Sequence, residues 1–157
     1  DFVQSFRTAY NRKDIKYIES VFSDDALIIT GKVIKVKKSD NPYFNSLGRE
    51  RVEYMTQSKA QYIAGLKRCF KRNKYIDVEF EDSEVIRHPA NPTIYGVTLK
   101  QEWGSSTYND TGFVFLLIDF KDETQPCIQV RTWQPERYNN KVLDRNERFS
   151  LDSFNIH

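Results

Sequence analysis

The stretch Ala9-Tyr10-Asn11-Arg12-Lys13-Asp14-Ile15-Lys16-Tyr17-Ile18-Glu19-Ser20-Val21-Phe22-Ser23-Asp24-Asp25-Ala26 changes conformational signal repeatedly within a short span. Leading into it, Phe2, Val3, Phe6, Ala9 and Tyr10 recur at helical spacing, with Gln4, Ser5, Arg7 and Thr8 on the other side, so residues 2–12 read as an amphipathic helix. Asn11-Arg12-Lys13 closes that helix, its cations placed where the helix dipole favours positive charge. Asp14 has the chemistry of an N-cap, and Ile15, Ile18, Val21 and Phe22 form the apolar stripe of a short second helix. Ser23-Asp24-Asp25 then reads as a turn and Ala26–Thr30 as a short strand that Gly31 ends.

Further along, Val33, Ile34 and Val36 are interleaved with Lys32, Lys35, Lys37 and Lys38, a pattern suited to an edge strand guarded by lysines. Asn41-Pro42 and Leu47-Gly48 mark a loop. Ser58-Lys59-Ala60-Gln61 matches a capping box, and Tyr62, Ile63, Leu66, Cys69 and Phe70 continue it as the stripe of a third helix ending in Arg68, Lys71, Arg72 and Lys74. From Tyr75 the period drops to two: Ile76, Val78 and Phe80 alternate with Asp77, Glu79 and Glu81, and Asp82-Ser83-Glu84 interrupts the alternation as a bulge would. Strands follow over 93–103, 108–120 and 125–134, with Gly104-Ser105-Ser106 as a hairpin connection. Residues 1–135 therefore form one domain, and 136–157 are polar enough to read as a C-terminal tail in which Leu151 and Phe154 are the residues able to dock.

The composition agrees with a single globular unit. The chain has 157 residues, 39% of them hydrophobic and 14% aromatic, too rich for a disordered chain. Two cysteines exclude a disulfide framework and a zinc module. The longest apolar run, Phe113–Ile118, is far below the roughly 20 residues of a membrane-spanning helix. The net charge of +2 hides a net of +8 over residues 1–74 and −6 over 75–157. The basic groups are spread over an edge and a helix end, and Asp77, Glu79 and Glu81 interrupt them, so no nucleic-acid partner is expected.

The turn Asn11-Arg12-Lys13-Asp14, followed by Phe22-Ser23-Asp24-Asp25-Ala26, resembles the opening pattern of the nuclear transport factor 2-like superfamily, the cystatin-like cone fold. The resemblance covers residues 2–30 by motif and the rest, through Trp133, by element order. It implies an α+β cone: three N-terminal helices packed on a curved antiparallel sheet of about four to six strands, with an apolar pocket between them. The superfamily includes ketosteroid-isomerase-like and polyketide-cyclase-like enzymes, dehydratases and many non-catalytic binding or association domains. In the isomerase pattern a helix-1 Tyr falls on Phe6, the catalytic Asp on Thr30 and a protonated Asp near Thr111. Phe6 has no hydrogen to donate to an oxyanion and Thr30 is no carboxylate base, so that chemistry is not expected here.

His88 beside Pro89 and His157 at the terminus read as solvated, and Cys69 and Cys127 as small core residues. No metal site and no cofactor is implied. Arg131, Gln129 and Trp133 share one strand face by alternation, as do Gln101 and Trp103. If that face is the inner one, an aromatic cavity carries a cation and amides. If it is the outer one, the same residues make a partner interface. Tyr10, Tyr54, Gln101, Trp103, Arg131 and Trp133 are accordingly the candidate ligand-binding residues. The expectation is a non-catalytic domain that holds a small apolar or amphipathic ligand, an acidic one included, or a protein partner, as a homodimer through its sheet. The alternative is a pocket lyase or isomerase using Tyr10, Tyr54 or Asp25 with Arg131. The chain begins at Asp1 rather than Met, so both an exported and a cytoplasmic location stay open.

Overall fold

A computed structural model describes residues 1–36 and 49–154, so the expected loop over 41–48, the lysines at 37 and 38 and the terminal His157 lie outside the described residues. Helix α1 (Phe2–Asn11) is capped by Asp1, whose carboxylate accepts from the Gln4 amide at 2.9 Å, and it buries Phe6, Ala9 and Tyr10. The chain reverses through Lys13 in the left-handed region (φ 56°), and Asp14 caps α2 (Ile15–Val21) by accepting from the Tyr17 amide. Strand β1 (Phe22–Lys35) starts directly from α2. The expected Ser23-Asp24-Asp25 turn is thus absorbed into an irregular strand start, with a register shift between Phe22 and Leu27. Gly31 does not end the strand. A Cβ there would come within 2.8 Å of a Val52 methyl, so the glycine admits the side chains of the next strand.

That strand, β2 (Glu50–Gln57), precedes α3 (Lys59–Arg72), which opens with the Ser58/Gln61 capping box the sequence predicts. Strands β3 (Ile76–Arg87), β4 (Ile94–Ser105), β5 (Asn109–Asp119) and β6 (Cys127–Pro135) form the meander, and β3 carries a register shift between Glu81 and Glu84, with Asp82 at φ 53°. The six strands lie in the order β2-β1-β6-β5-β4-β3. The sheet expected to be antiparallel is mixed, because β6 returns beside β1 and pairs with it in parallel. Local alternation specifies each strand but not which distant strand it meets, so this pairing is decided by closure of the fold.

The inner face of the sheet packs against all three helices. Phe6, Tyr10, Ile18, Phe22, Ile28, Ile63, Phe70, Val78, Leu99, Leu116 and Ile128 are buried together there. On the outer face Ile94, Phe115, Leu117 and Val130 form a second apolar cluster, covered by Phe149, Leu151 and Phe154. Residues 136–154, expected as a polar tail, therefore lie against the sheet. Strands β7 (Arg137–Tyr138) and β8 (Lys141–Val142) form a hairpin around Asn139 and Asn140, both at positive φ. Gln134, only 2% exposed, then holds the following segment: its side-chain amide donates to the Glu147 carbonyl and accepts from the Phe149 amide. Among the described residues no helix is long and apolar enough to cross a membrane.

Candidate functional site

Strand alternation and the helix stripes bring an unusual set of polar atoms to the inner face. Arg131 of β6, 7% exposed, extends among the helices and sets its guanidinium carbon 5.0 Å from the centre of the Tyr62 ring. The hydroxyls of Tyr62 (α3) and Tyr10 (α1) are 2.5 Å apart. The Tyr10 ring meets Phe6 edge-on at 5.0 Å and Trp103 of β4 at 6.1 Å. Gln101, also buried, precedes Trp103 on the same face of β4. Trp133, two residues beyond Arg131, lies over Gly112. A Cβ at Gly112 would collide with the indole and approach the Gln134 carbonyl to 2.5 Å, so only glycine leaves room for the ring in this position.

The charges are uneven. Burial works against the Arg131 cation, yet the tyrosines and Asp110 hold its pKa above the ordinary value. Tyr10 is pushed well above the usual phenol range, first by burial and then by Tyr62, with Arg131 opposing. Both effects keep Tyr10 a neutral phenol, a dipole beside the cation rather than a counter-charge. The carboxylate acting on Arg131 is that of Asp110 on β5, whose own pKa is raised by burial despite the opposing pull of Tyr108 and Arg131. No carboxylate forms an ion pair with Arg131 among the described residues, and its buried Nε has no hydrogen-bond partner, as is also true of Asp110 Oδ1. Two clefts meet at Asp110. One, of about 410 Å³, includes Trp103; the other, of about 430 Å³, includes Trp133 and opens between β1 and the end of β6.

Of the six candidate residues, Tyr10, Gln101, Trp103, Arg131 and Trp133 are thus on the inner face. Tyr54 is not with them: it stands on the outer face of β2, 42% exposed, accepting from Gln134 Nε2 and packing edge-on against Phe149. Gln129 falls at the register shift between β5 and β6, and its amide reaches Asp119 instead. Asp25 is exposed at the start of β1. Thr111, the position the isomerase pattern points to, pairs with Glu102, while its neighbour Asp110 pairs with Trp103. Asp110 is the member that sequence reasoning left out of the site, whereas Tyr62 reaches it from the apolar stripe of α3. Asp110 is detectable by alternation with Gly112 and Val114 once the face of Val114 is known.

His88 organises its loop, with Nδ1 accepting from the Ala90 and Asn91 amides, both at 3.0 Å. Cys69 and Cys127 are unpaired and half-buried. Among the described residues no group of three or more His, Cys, Asp and Glu side chains could hold a metal ion.

No protein-family model matches this chain, and no curated protein matches it by sequence. Solved structures do. Bd1075 from Bdellovibrio bacteriovorus aligns at a TM-score of 0.61 and 16% identity over 85% of this chain, which spans 38% of that longer protein. A nuclear transport factor 2-like protein from Cytophaga hutchinsonii aligns at 0.57 and 15% identity, covering 82% of this chain and 87% of its own. ActVI-ORFA from Streptomyces coelicolor aligns at 0.56 and 9% identity, covering 86% and 92%. Identities this low speak for fold alone.

Proposed function

We propose that this chain, which has the nuclear transport factor 2-like fold, is a binding module that holds a small amphipathic molecule at the Arg131 end of its cone. The observation that carries the reading is the buried polar cluster of Arg131, Tyr10 and Tyr62 inside an aromatic shell. Burying a cation without a partner is costly, and apolar packing of similar volume would serve stability as well or better. A polar group at this position therefore favours a role in recognition. Catalysis of the isomerase type finds no support: Thr30 stands where a base would be needed, Asp25 is exposed, and Tyr54 lies on the opposite face of the sheet from Arg131. A protein partner on the sheet has a weaker basis, because the apolar part of the outer face is already covered by Phe149, Leu151 and Phe154.

The test is protein-observed NMR against a set of small aromatic and alkyl compounds. The expected result is a group of compounds that shift the signals of Tyr10, Trp103, Arg131 and Trp133. Shifts confined to Tyr54 and Phe149, or none at all, would sink the proposal, the former moving function to the outer face.

A further inference from the structure

We infer that the Arg131 end of the cone is a carboxylate subsite, so that the ligand is an aromatic or alkyl carboxylic acid admitted past Lys32 and Arg137. The inference rests on the reading of the cone as a ligand site and specifies what that site selects. Three observations carry it.

Hydrogen-bond bookkeeping comes first. Arginine has donors only, and a tyrosine hydroxyl has one donor hydrogen. The bond between Tyr10 and Tyr62 uses one of their two hydrogens. The second needs an acceptor that Arg131 cannot provide, and Arg131 Nε–H is itself buried and unpartnered. A buried cationic donor thus lacks an acceptor beside a tyrosine pair that has one hydrogen to spare. A carboxylate is acceptor-only and matches the planar fork of a guanidinium, forming charge-assisted bonds that are stronger than neutral ones. A cationic ligand would meet like charge, and a purely apolar one would leave the Arg131 Nε–H unmet.

The second observation is a cleft beside the cluster, bordered by Trp133 and Asp110. At about 430 Å³, it has Lys32 and Arg137 exposed at its lip. Arg131 lies on the same inner face of β6, one alternation deeper than Trp133. Glu136, which also borders the cleft, is paired with Lys100 at 2.7 Å. The lip is therefore net positive toward an incoming anion, and the indole offers an apolar surface for its hydrocarbon part.

The third is the incomplete internal compensation. Asp110 is the carboxylate that acts on Arg131, yet it makes no ion pair with it, and burial disfavours its charged form. A ligand carboxylate in contact with the guanidinium would provide the counter-charge that Asp110 supplies only at a distance.

Calorimetric titration of the full chain with 4-phenylbutyrate and with its neutral analogue 4-phenylbutyramide tests the inference. The acid is expected to bind at least about tenfold more tightly than the amide, the discrimination typical of a charged hydrogen bond. Arg131→Met should abolish that preference while amide binding persists, with circular dichroism reporting the fold. Arg131→Lys, which keeps the charge but not the fork, should lose part of it and serves if the methionine variant does not fold. Equal affinity for acid and amide in the native chain, or a preference unchanged in either variant, overturns the carboxylate assignment while leaving a ligand site. Binding of neither compound, with no cone signals moved in the NMR screen, overturns the assignment together with the ligand site.

Discussion

Asp110 acts on Arg131 without forming an ion pair with it, and the partial burial of its own carboxyl sets a measurable pH dependence. Burial raises the Asp110 pKa in the folded chain, so from about pH 4, the ordinary carboxylate value, up to its raised value the folded state holds a proton that the unfolded chain has released. The folded state then binds more protons than the unfolded one, and stability falls as pH rises through that window. Asp110→Asn removes this loss. Urea unfolding of both proteins from pH 4 upward should show the native chain losing stability relative to the variant as pH rises, and parallel profiles would count against a buried Asp110. Alternation along β5 made Asp110 legible in principle, but the doubly apolar run Phe113–Ile118 hides which face is inner. Tyr54 shows the opposite failure: β2 mixes Arg51, Glu53 and Thr56 with Val52 and Met55, so nothing in its sequence marks a face, and an exposed aromatic was read as a pocket residue.

At the scale of elements, Asn11 links parts that the sequence presents separately. In the chain it belongs to the turn between α1 and α2. In the structure its side chain also accepts from the Val78 amide at 2.6 Å and donates to the Val78 carbonyl at 3.4 Å, pairing with the edge strand β3 as another strand would. This satisfies backbone groups that an edge otherwise leaves open and fixes α1, with Tyr10, against the sheet. Asn11→Ala should cost about 1–3 kcal/mol, the range for leaving buried backbone groups unmet, and should speed hydrogen exchange at the Val78 amide. Unchanged exchange there would mean that α1 is positioned by its apolar face alone. Helices, caps and the β3 bulge were readable because each is encoded within a few residues. The parallel pairing of β1 with β6 joins segments about a hundred residues apart and has no local signature.

Over the whole molecule, the two faces of the sheet are used differently, and this bears on how the chain associates. A homodimer through the sheet would need an apolar surface, and the outer face provides one in Ile94, Phe115, Leu117 and Val130. That patch is already occupied by Phe149, Leu151 and Phe154, with Phe154 stacked on Phe115 at 5.6 Å and the segment held by Gln134. Around it stand charged groups, including the Lys100–Glu136 pair and the Arg145–Glu84 pair, with Tyr54 and Ile86 as separate, partly exposed apolar side chains. Phe149, Leu151 and Phe154 thus do for this face what a second subunit would do, and the chain should run at the mass of a single copy in light scattering. Replacing Phe149, Leu151 and Phe154 with serine removes the cover, at about 1.5–3 kcal/mol for each side chain that was fully buried and less for these partly buried ones. The variant should lose stability and self-associate as the apolar patch becomes available. A variant that keeps both the native stability and the single-chain mass would show that residues 149–154 do not cover the sheet in solution, and a native chain already at twice the mass would place the dimer interface elsewhere or on top of this segment.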